Sequence, residues 1–230
     1  MDWFAPIDLY CERLTEAFWA EPLNALSNIS FLIAAGFGAK RARIEGGGIM
    51  AWVLVALAAL IGIGSFLFHT FANGWSELAD VLPIWSFVAI YVLALITKLK
   101  GRAPSAWLLV AVAGAAAVTL ISLTLSEPSP QPTRPAPFNG SLQYAPAWIA
   151  MAVFTLVFYR KQIAERHWVL AATVAFTISL VFRSLDHALC ELFPAGTHFV
   201  WHIMNGAMIG LLLQLYIRVQ RPEPAVSPNS

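Results

Sequence analysis

Long apolar runs separated by short polar or basic connectors set the pattern of the chain. Seven such runs fall at roughly 22–39, 49–71, 76–97, 104–125, 141–159, 168–189 and 197–217. A hydrocarbon core about 30 Å thick is crossed by roughly 20 apolar residues in a helix. Lipid offers no partner to an unpaired amide, so a crossing segment must satisfy its backbone internally. The pattern therefore predicts an all-α integral membrane bundle of seven transmembrane helices. Pro22 and Pro104 stand at first-turn positions, where the amide that proline lacks would be unpaired anyway. Pro83 lies inside the third run and predicts a kink, because it removes a backbone bond and crowds the preceding turn.

The connectors orient the bundle. Lys40, Arg41 and Arg43 follow the first run, and Lys98, Lys100 and Arg102 follow the third. Arg160, Lys161 and Arg166 follow the fifth, and Arg218 and Arg221 follow the seventh. Of the 14 basic residues, only Arg13, Arg134 and Arg183 fall elsewhere. The positive-inside rule then puts the N-terminus outside and the C-terminus in the cytosol, and an odd number of spans requires that opposition. Residues 1–21 lack the basic start and continuous apolar run of a signal peptide. They interleave Asp2, Asp8, Glu12, Glu16 and Glu21 with Trp3, Phe4, Tyr10, Phe18 and Trp19, as an amphipathic segment at the outer interface would. Ser126–Pro137 (SEPSPQPTRPAP) is a Pro-rich outer loop, and residues 222–230 are expected to form a disordered tail. One domain thus spans 1–221. Its short loops and lack of a retention signal suit a bacterial inner membrane.

Composition narrows the function. Hydrophobic residues make up 59% of the chain and charged residues 12%, with a mean hydropathy of +0.69, whereas a soluble domain averages about 25% charged residues. A net charge of +1 excludes the basic field that holds nucleic acid. No Gly-rich phosphate loop is visible. A proton-coupled transporter would show internal repeats and interrupted helices near the midplane, and no repeat is apparent here. The expected partners are the membrane and a lipid, with no obligate protein partner.

Ionisable groups inside membrane helices are costly and mark functional sites by default. Ser65 and His69 lie near the outer end of the second run, four residues apart and so on one helical face. Asp80 lies near the outer end of the third run. His198 and His202 open the seventh, again on one face. All five fall at the same depth, although the topology rests on Lys and Arg alone. Two histidines one turn apart plus one from a neighbouring helix form a natural three-nitrogen zinc site with a fourth position open for water. Zinc lowers the pKa of such a water to about 7, and Asp80 is placed to move its protons. The alternative is that each histidine is a hydrogen-bonded packing residue. His167 beside Arg166 reads as an interfacial anchor, and His187 has the right depth but not the face of His198.

These residues and their spacings resemble the alkaline ceramidase family, within a wider group of seven-span membrane hydrolases. The matching stretches are CER…WAEPLNALSN (Cys11–Asn28), GSFLFHTFANGWSELADVLP (Gly64–Pro83), LDHALCE (Leu185–Glu191) and HFVWHIMNG (His198–Gly206). The resemblance implies a zinc held by His69, His198 and His202 that activates water to cleave the amide of ceramide, releasing sphingosine and a fatty acid. It makes Asp80 the residue that orients or deprotonates the water, and Ser65 a donor to the oxyanion. It also implies a calcium site in the N-terminal segment, with Glu12 and Glu21 at two of its acidic positions. Here the sequence departs from the family pattern, because Asp8 is displaced by one residue and Leu14 replaces an Asn. Calcium takes about six to eight oxygens, which Asp8, Glu12, Glu21, a carbonyl such as that of Tyr10, and waters would supply. Alternatively these acids merely solvate an interfacial segment. Asn24 and Asn28 are expected to bridge helices. Two further readings stay open: a hydrolase of another acyl lipid or phospholipid on the same scaffold, and a receptor-like protein with structural zinc, as in the distantly similar adiponectin-receptor group.

Cys11 and Cys190 are the two cysteines. The topology puts both at the outer, oxidising side, where a disulfide persists, so they are expected to be bonded and to tie the acidic segment over the mouth of the bundle. The alternative is two buried free thiols.

Overall fold

The computed structural model describes residues 3–101 and 137–219. A loop of residues 3–21 leads into α1 (Pro22–Ser27), α2 (Ile29–Ile44), α3 (Ile49–Phe71) and α4 (Gly74–Lys100). A 3-10 segment (Pro137–Tyr144) then precedes α5 (Ala145–Arg160), α6 (Arg166–Leu189) and α7 (His198–Arg218). Among the described residues, six segments are long and apolar enough to cross a membrane: Pro22–Ile44, Ile49–Phe71, Gly74–Lys100, Pro137–Arg160, Arg166–Leu189 and His198–Arg218. They coincide with six of the seven runs, and no strand occurs among the described residues. The expected run at 104–125, most of the Pro-rich loop and the tail lie outside the described residues.

The first run differs in detail from its expectation. It breaks at Asn28 into α1 and α2. Asn24 and Asn28 do not bridge helices as expected. Asn24 Nδ2 donates to Glu21 Oε2 at 3.0 Å and Asn28 Nδ2 to the Asn24 carbonyl at 2.9 Å, so the bonds these amides donate stay within residues 21–28, while both Oδ1 atoms are buried without a partner. Short polar side chains next to a helix end compete for its backbone groups, which favours a break over a bridge.

The hairpin of α3 and α4 is built by local chemistry. Ala72 closes α3 in the left-handed region (φ 42°), and Asn73 caps α4. The Asn73 side chain accepts from the Ser76 amide at 3.3 Å while Ser76 Oγ accepts from the Asn73 amide at 3.0 Å, a reciprocal capping box. Two residues of turn therefore separate the last turn of α3, which carries His69, from the start of the helix that carries Asp80.

Around this hairpin α7 packs between α6 and α2 and also touches α3. Leu54, Ile61, Leu95, Phe158, Leu213 and Leu215 form a buried core, while Ile33, Phe37, Ile63, Val153, Leu156 and Val181 project outward, a belt suited to lipid. The basic connectors gather at one end. Arg41, Trp168 and Arg218 line a common hollow there, with the Arg218 guanidinium 4.8 Å from the Trp168 ring. His69 and His198 lie at the opposite ends of the same helices.

Close approach of α3 and α4 depends on Gly64. Pro83 has no amide to offer the Ala79 carbonyl, and α4 nevertheless continues through it. Gly64 lies against that carbonyl: a Cβ there would strike the Ala79 oxygen and reach 3.2 Å from Asp80 Cα. Gly64→Ala is therefore expected to destabilise the fold by about 1–3 kcal/mol as an overpacked contact. A thermal melt of the detergent-solubilised variant at the wild-type temperature would contradict this.

Candidate metal centre

His69, at the end of α3, and His198 and His202, in the first turns of α7, meet in the interior. All three are buried, and one ring nitrogen from each lies within 4.8 Å of the others. Ring centroids are 4.6 Å apart for His198 and His202, 4.7 Å for His69 and His202, and 5.2 Å for His69 and His198. The four-residue spacing on α7 turns its pair to one face.

Neighbouring groups set the tautomers. His69 Nδ1 lies 2.6 Å from Glu21 Oε2, which can only accept, so Nδ1 carries the proton. The Ser27 hydroxyl donates to the Asn24 carbonyl at 2.9 Å and so accepts from His202 Nδ1 at 2.8 Å. Both Nε2 atoms are thereby left with lone pairs, yet they face each other at 3.1 Å. A shared proton or a bound metal ion accommodates two ring nitrogens at this spacing. A tetrahedral zinc bound at 2.0–2.1 Å holds its ligand nitrogens about 3.3 Å apart. His198 Nδ1 is buried without a hydrogen-bond partner. The donor set fits a metal ion.

Asp80 of α4 and Ser65 of α3 line a cavity of about 180 Å³ together with His198 and His202. Ser65 lies within reach of the Asp80 carboxylate, and Asp80 Oδ1 is buried without a protein partner. Four of the five residues drawn together by the sequence reading thus line one space, and His69 joins them through its contacts with His198 and His202.

The N-terminal segment seals this end. Cys11 and Cys190 form a disulfide with Cα atoms 5.4 Å apart. Asp186 of α6, fully buried, accepts from three amides: Cys11 at 3.2 Å, Thr197 at 2.6 Å and His198 at 2.9 Å. A carboxylate at the amides that open α7 satisfies its unpaired donors and complements its dipole. Gly196, with φ +64°, makes room for Asp186, since a Cβ there would also come within 2.8 Å of Cys11 Cβ. Tyr10 stacks on His198 at 3.7 Å. Nothing in the spacing of the sequence marks Asp186, although it lies in the LDHALCE stretch.

Arg13, Ser27 and Arg183 were likewise missed, because helical periodicity does not reveal which distant side chains face one another. Arg13 is buried, with Nε 2.5 Å from Glu21 Oε1, Nη1 3.2 Å from the Thr15 carbonyl and Nη2 3.1 Å from the His69 carbonyl. Glu21, expected as a calcium position, instead spends its oxygens on Arg13, Asn24 and His69. Glu12 accepts from the Leu23 and Asn24 amides at 2.7 and 2.8 Å, at the start of α1. Burial pushes the Glu12 carboxyl above its ordinary value, and those two amides partly offset it. Asp8 is exposed. Among the described residues these three acids do not form a cluster of converging ligand atoms. His187 stands beside the disulfide, its Nδ1 4.0 Å from Cys190 Sγ, and outside the three-histidine cluster. His167 lies with Tyr159 at the exposed basic end.

A comparison with curated proteins finds none that matches the chain. A family model described as Ceramidase matches residues 6–228, a stretch that takes in every described helix and all three clustered histidines. With so nearly complete a match, the chain belongs to the Ceramidase family.

Proposed function

We propose that this protein is a zinc-dependent hydrolase that cleaves the amide bond of ceramide to sphingosine and a fatty acid. Family membership implies a hydrolase acting on amide bonds, and the apolar helices mark a multi-pass membrane protein. The observation that carries the proposal is the pair of inward-facing imidazole lone pairs beside a cavity shared with Asp80 and Ser65. Zinc held by His69, His198 and His202 would supply a Lewis acid and bring the pKa of a water down to about 7.

The chain's own residues do the rest. Glu21 and Ser27 hold the protons of His69 and His202 on Nδ1 and so keep both Nε2 atoms available. Asp80 takes the proton of the attacking water and returns it to the departing amine nitrogen. Ser65 donates to the carbonyl oxygen as negative charge builds on it, a contact contributing about 3–4 kcal/mol. The apolar cavity walls and the lipid-facing helices admit acyl chains from the bilayer. With the basic connectors in the cytosol, the site faces the outer, periplasmic side of a bacterial inner membrane.

The N-terminal segment does not fit calcium. Six to eight oxygens are needed, but each oxygen of Glu21 and Glu12 already accepts a hydrogen bond and Asp8 is exposed, so the three acids do not converge on one point. The buried Arg13 guanidinium supplies a positive charge in that place, between Glu21 and the carbonyls of Thr15 and His69.

Two outcomes follow. Asp80→Asn is expected to retain zinc but lose about 10²–10⁴-fold in kcat, whereas His202→Ala loses both zinc and turnover. Mass-resolved products from a panel of ceramides, phospholipids and N-acyl amino lipids, with metal analysis, check this; near-normal ceramide cleavage by either variant would overturn it. Adding calcium chloride to the zinc-loaded protein should leave its melting temperature unchanged. A site held at 100 times its Kd would stabilise by about 2.7 kcal/mol, several degrees for a chain of this size, so a saturable rise with calcium would show a site there.

A further inference from the structure

The Arg13 guanidinium does more than occupy the place expected for calcium. Arg13 is 7% exposed and its carboxylate partner Glu21 only 2%. Nε donates to Glu21 Oε1 at 2.5 Å, and Nη2 donates to the His69 carbonyl at 3.1 Å. The other carboxylate oxygen, Glu21 Oε2, accepts from His69 Nδ1 at 2.6 Å. Arg13, Glu21 and His69 therefore close a ring of contacts. In it one guanidinium holds both the backbone of the histidine and the carboxylate that orients its imidazole.

Attachment of the N-terminal segment does not require this arginine. The disulfide to Cys190 fixes the segment covalently two residues away, at Cys11. The Cys11 amide donates to Asp186 at 3.2 Å, and the Ile7 amide to the Ala72 carbonyl at 2.7 Å. Arg13 acts at a different place. The His69 carbonyl stands in the last turn of α3, where carbonyls lack a donor within the helix, and the Asn73 amide next along that ladder is bound by Ser76 Oγ. A cation there also complements the helix dipole. A guanidinium presents its donors in a rigid plane, so the bond to the His69 carbonyl fixes the direction from which Nε meets Glu21. Without that partner Oε1 would be a buried charged oxygen in need of another donor, and the carboxylate would be free to turn away from the imidazole. Groups that bind the second nitrogen of a metal-ligating histidine fix its ring and tune its affinity for the ion.

We propose that Arg13 is a positioning residue for the metal centre: by fixing the Glu21 carboxylate it sets the aim of the His69 ring, and with it the affinity of the site for zinc. This rests on the zinc reading of the three histidines, and it is tested by metal binding rather than turnover. Zinc affinity of the purified, disulfide-intact protein in detergent is measured by competition with a chromophoric chelator, for the parent, Arg13→Gln, Glu21→Gln and the double variant. Arg13→Gln is expected to weaken zinc binding about tenfold, as loss of a group that orients a ligating histidine does. Made on Glu21→Gln, the same substitution is expected to change affinity by no more than about twofold, because the carboxylate through which it acts is gone. Arg13→Lys, which keeps the charge but not the planar fork, is expected to fall between Arg13→Gln and the parent. An equal fold-loss in both backgrounds would make Arg13 a support of the segment at large and overturns the proposal, as does zinc bound equally tightly by the parent and Arg13→Gln. If either Gln variant fails to fold by circular dichroism, Arg13→Lys or Glu21→Asp takes its place in the cycle, and the same two outcomes decide. A parent protein that takes up no zinc ends the zinc reading itself and this proposal with it, so the parent alone tells the two failures apart.

Discussion

Two side-chain hydrogen bonds decide what the interior of this bundle can do. A neutral imidazole has one donor and one acceptor nitrogen, and whichever group binds the first determines the direction of the second. Glu21 takes the Nδ1 proton of His69, and Ser27 takes that of His202, so the two remaining lone pairs are pointed at one spot. Neither anchor comes from the helix it orients. Both lie on or just before α1, the short helix that exists because Asn28 interrupts the first apolar run.

The N-terminal segment is accordingly part of the site rather than a cover laid over it. It is held by a covalent bond to the end of α6, by the Cys11 amide on Asp186, and by Arg13 on Glu21 and the His69 carbonyl. Each tie also steadies a histidine: Asp186 caps the helix that begins with His198, Arg13 bonds the backbone of His69, and Tyr10 lies flat against the His198 ring. Arg13, Glu21 and Asp186 are each met by partners at this end, whereas Asp80 Oδ1 and Arg183 Nε, on side chains that line the cavity, have none.

Much of this was legible in the residues. Apolar length alone located six described spans, because a membrane imposes one length on every helix that crosses it. The joint depth of His69, His198, His202, Ser65 and Asp80 could be deduced once Lys and Arg had set the topology, and the same reasoning paired Cys11 with Cys190. What could not be read was the wiring among side chains distant in sequence. Asp186 looks like a stray acid until the α7 amides are seen converging on it, and Glu21 looks like one of several surface acids until Arg13 and His69 close around it. The asparagines were misread for a related reason. A polar amide in a span signals a hydrogen bond, but not whether its partner is a neighbouring helix or the next turn.

X-ray absorption at the zinc edge of the purified, unmodified protein tests the central claim most directly. Three imidazole nitrogens and one exchangeable oxygen at 2.0–2.1 Å are predicted. A shell containing sulfur, a shell of four protein ligands, or protein that takes up no zinc would contradict it.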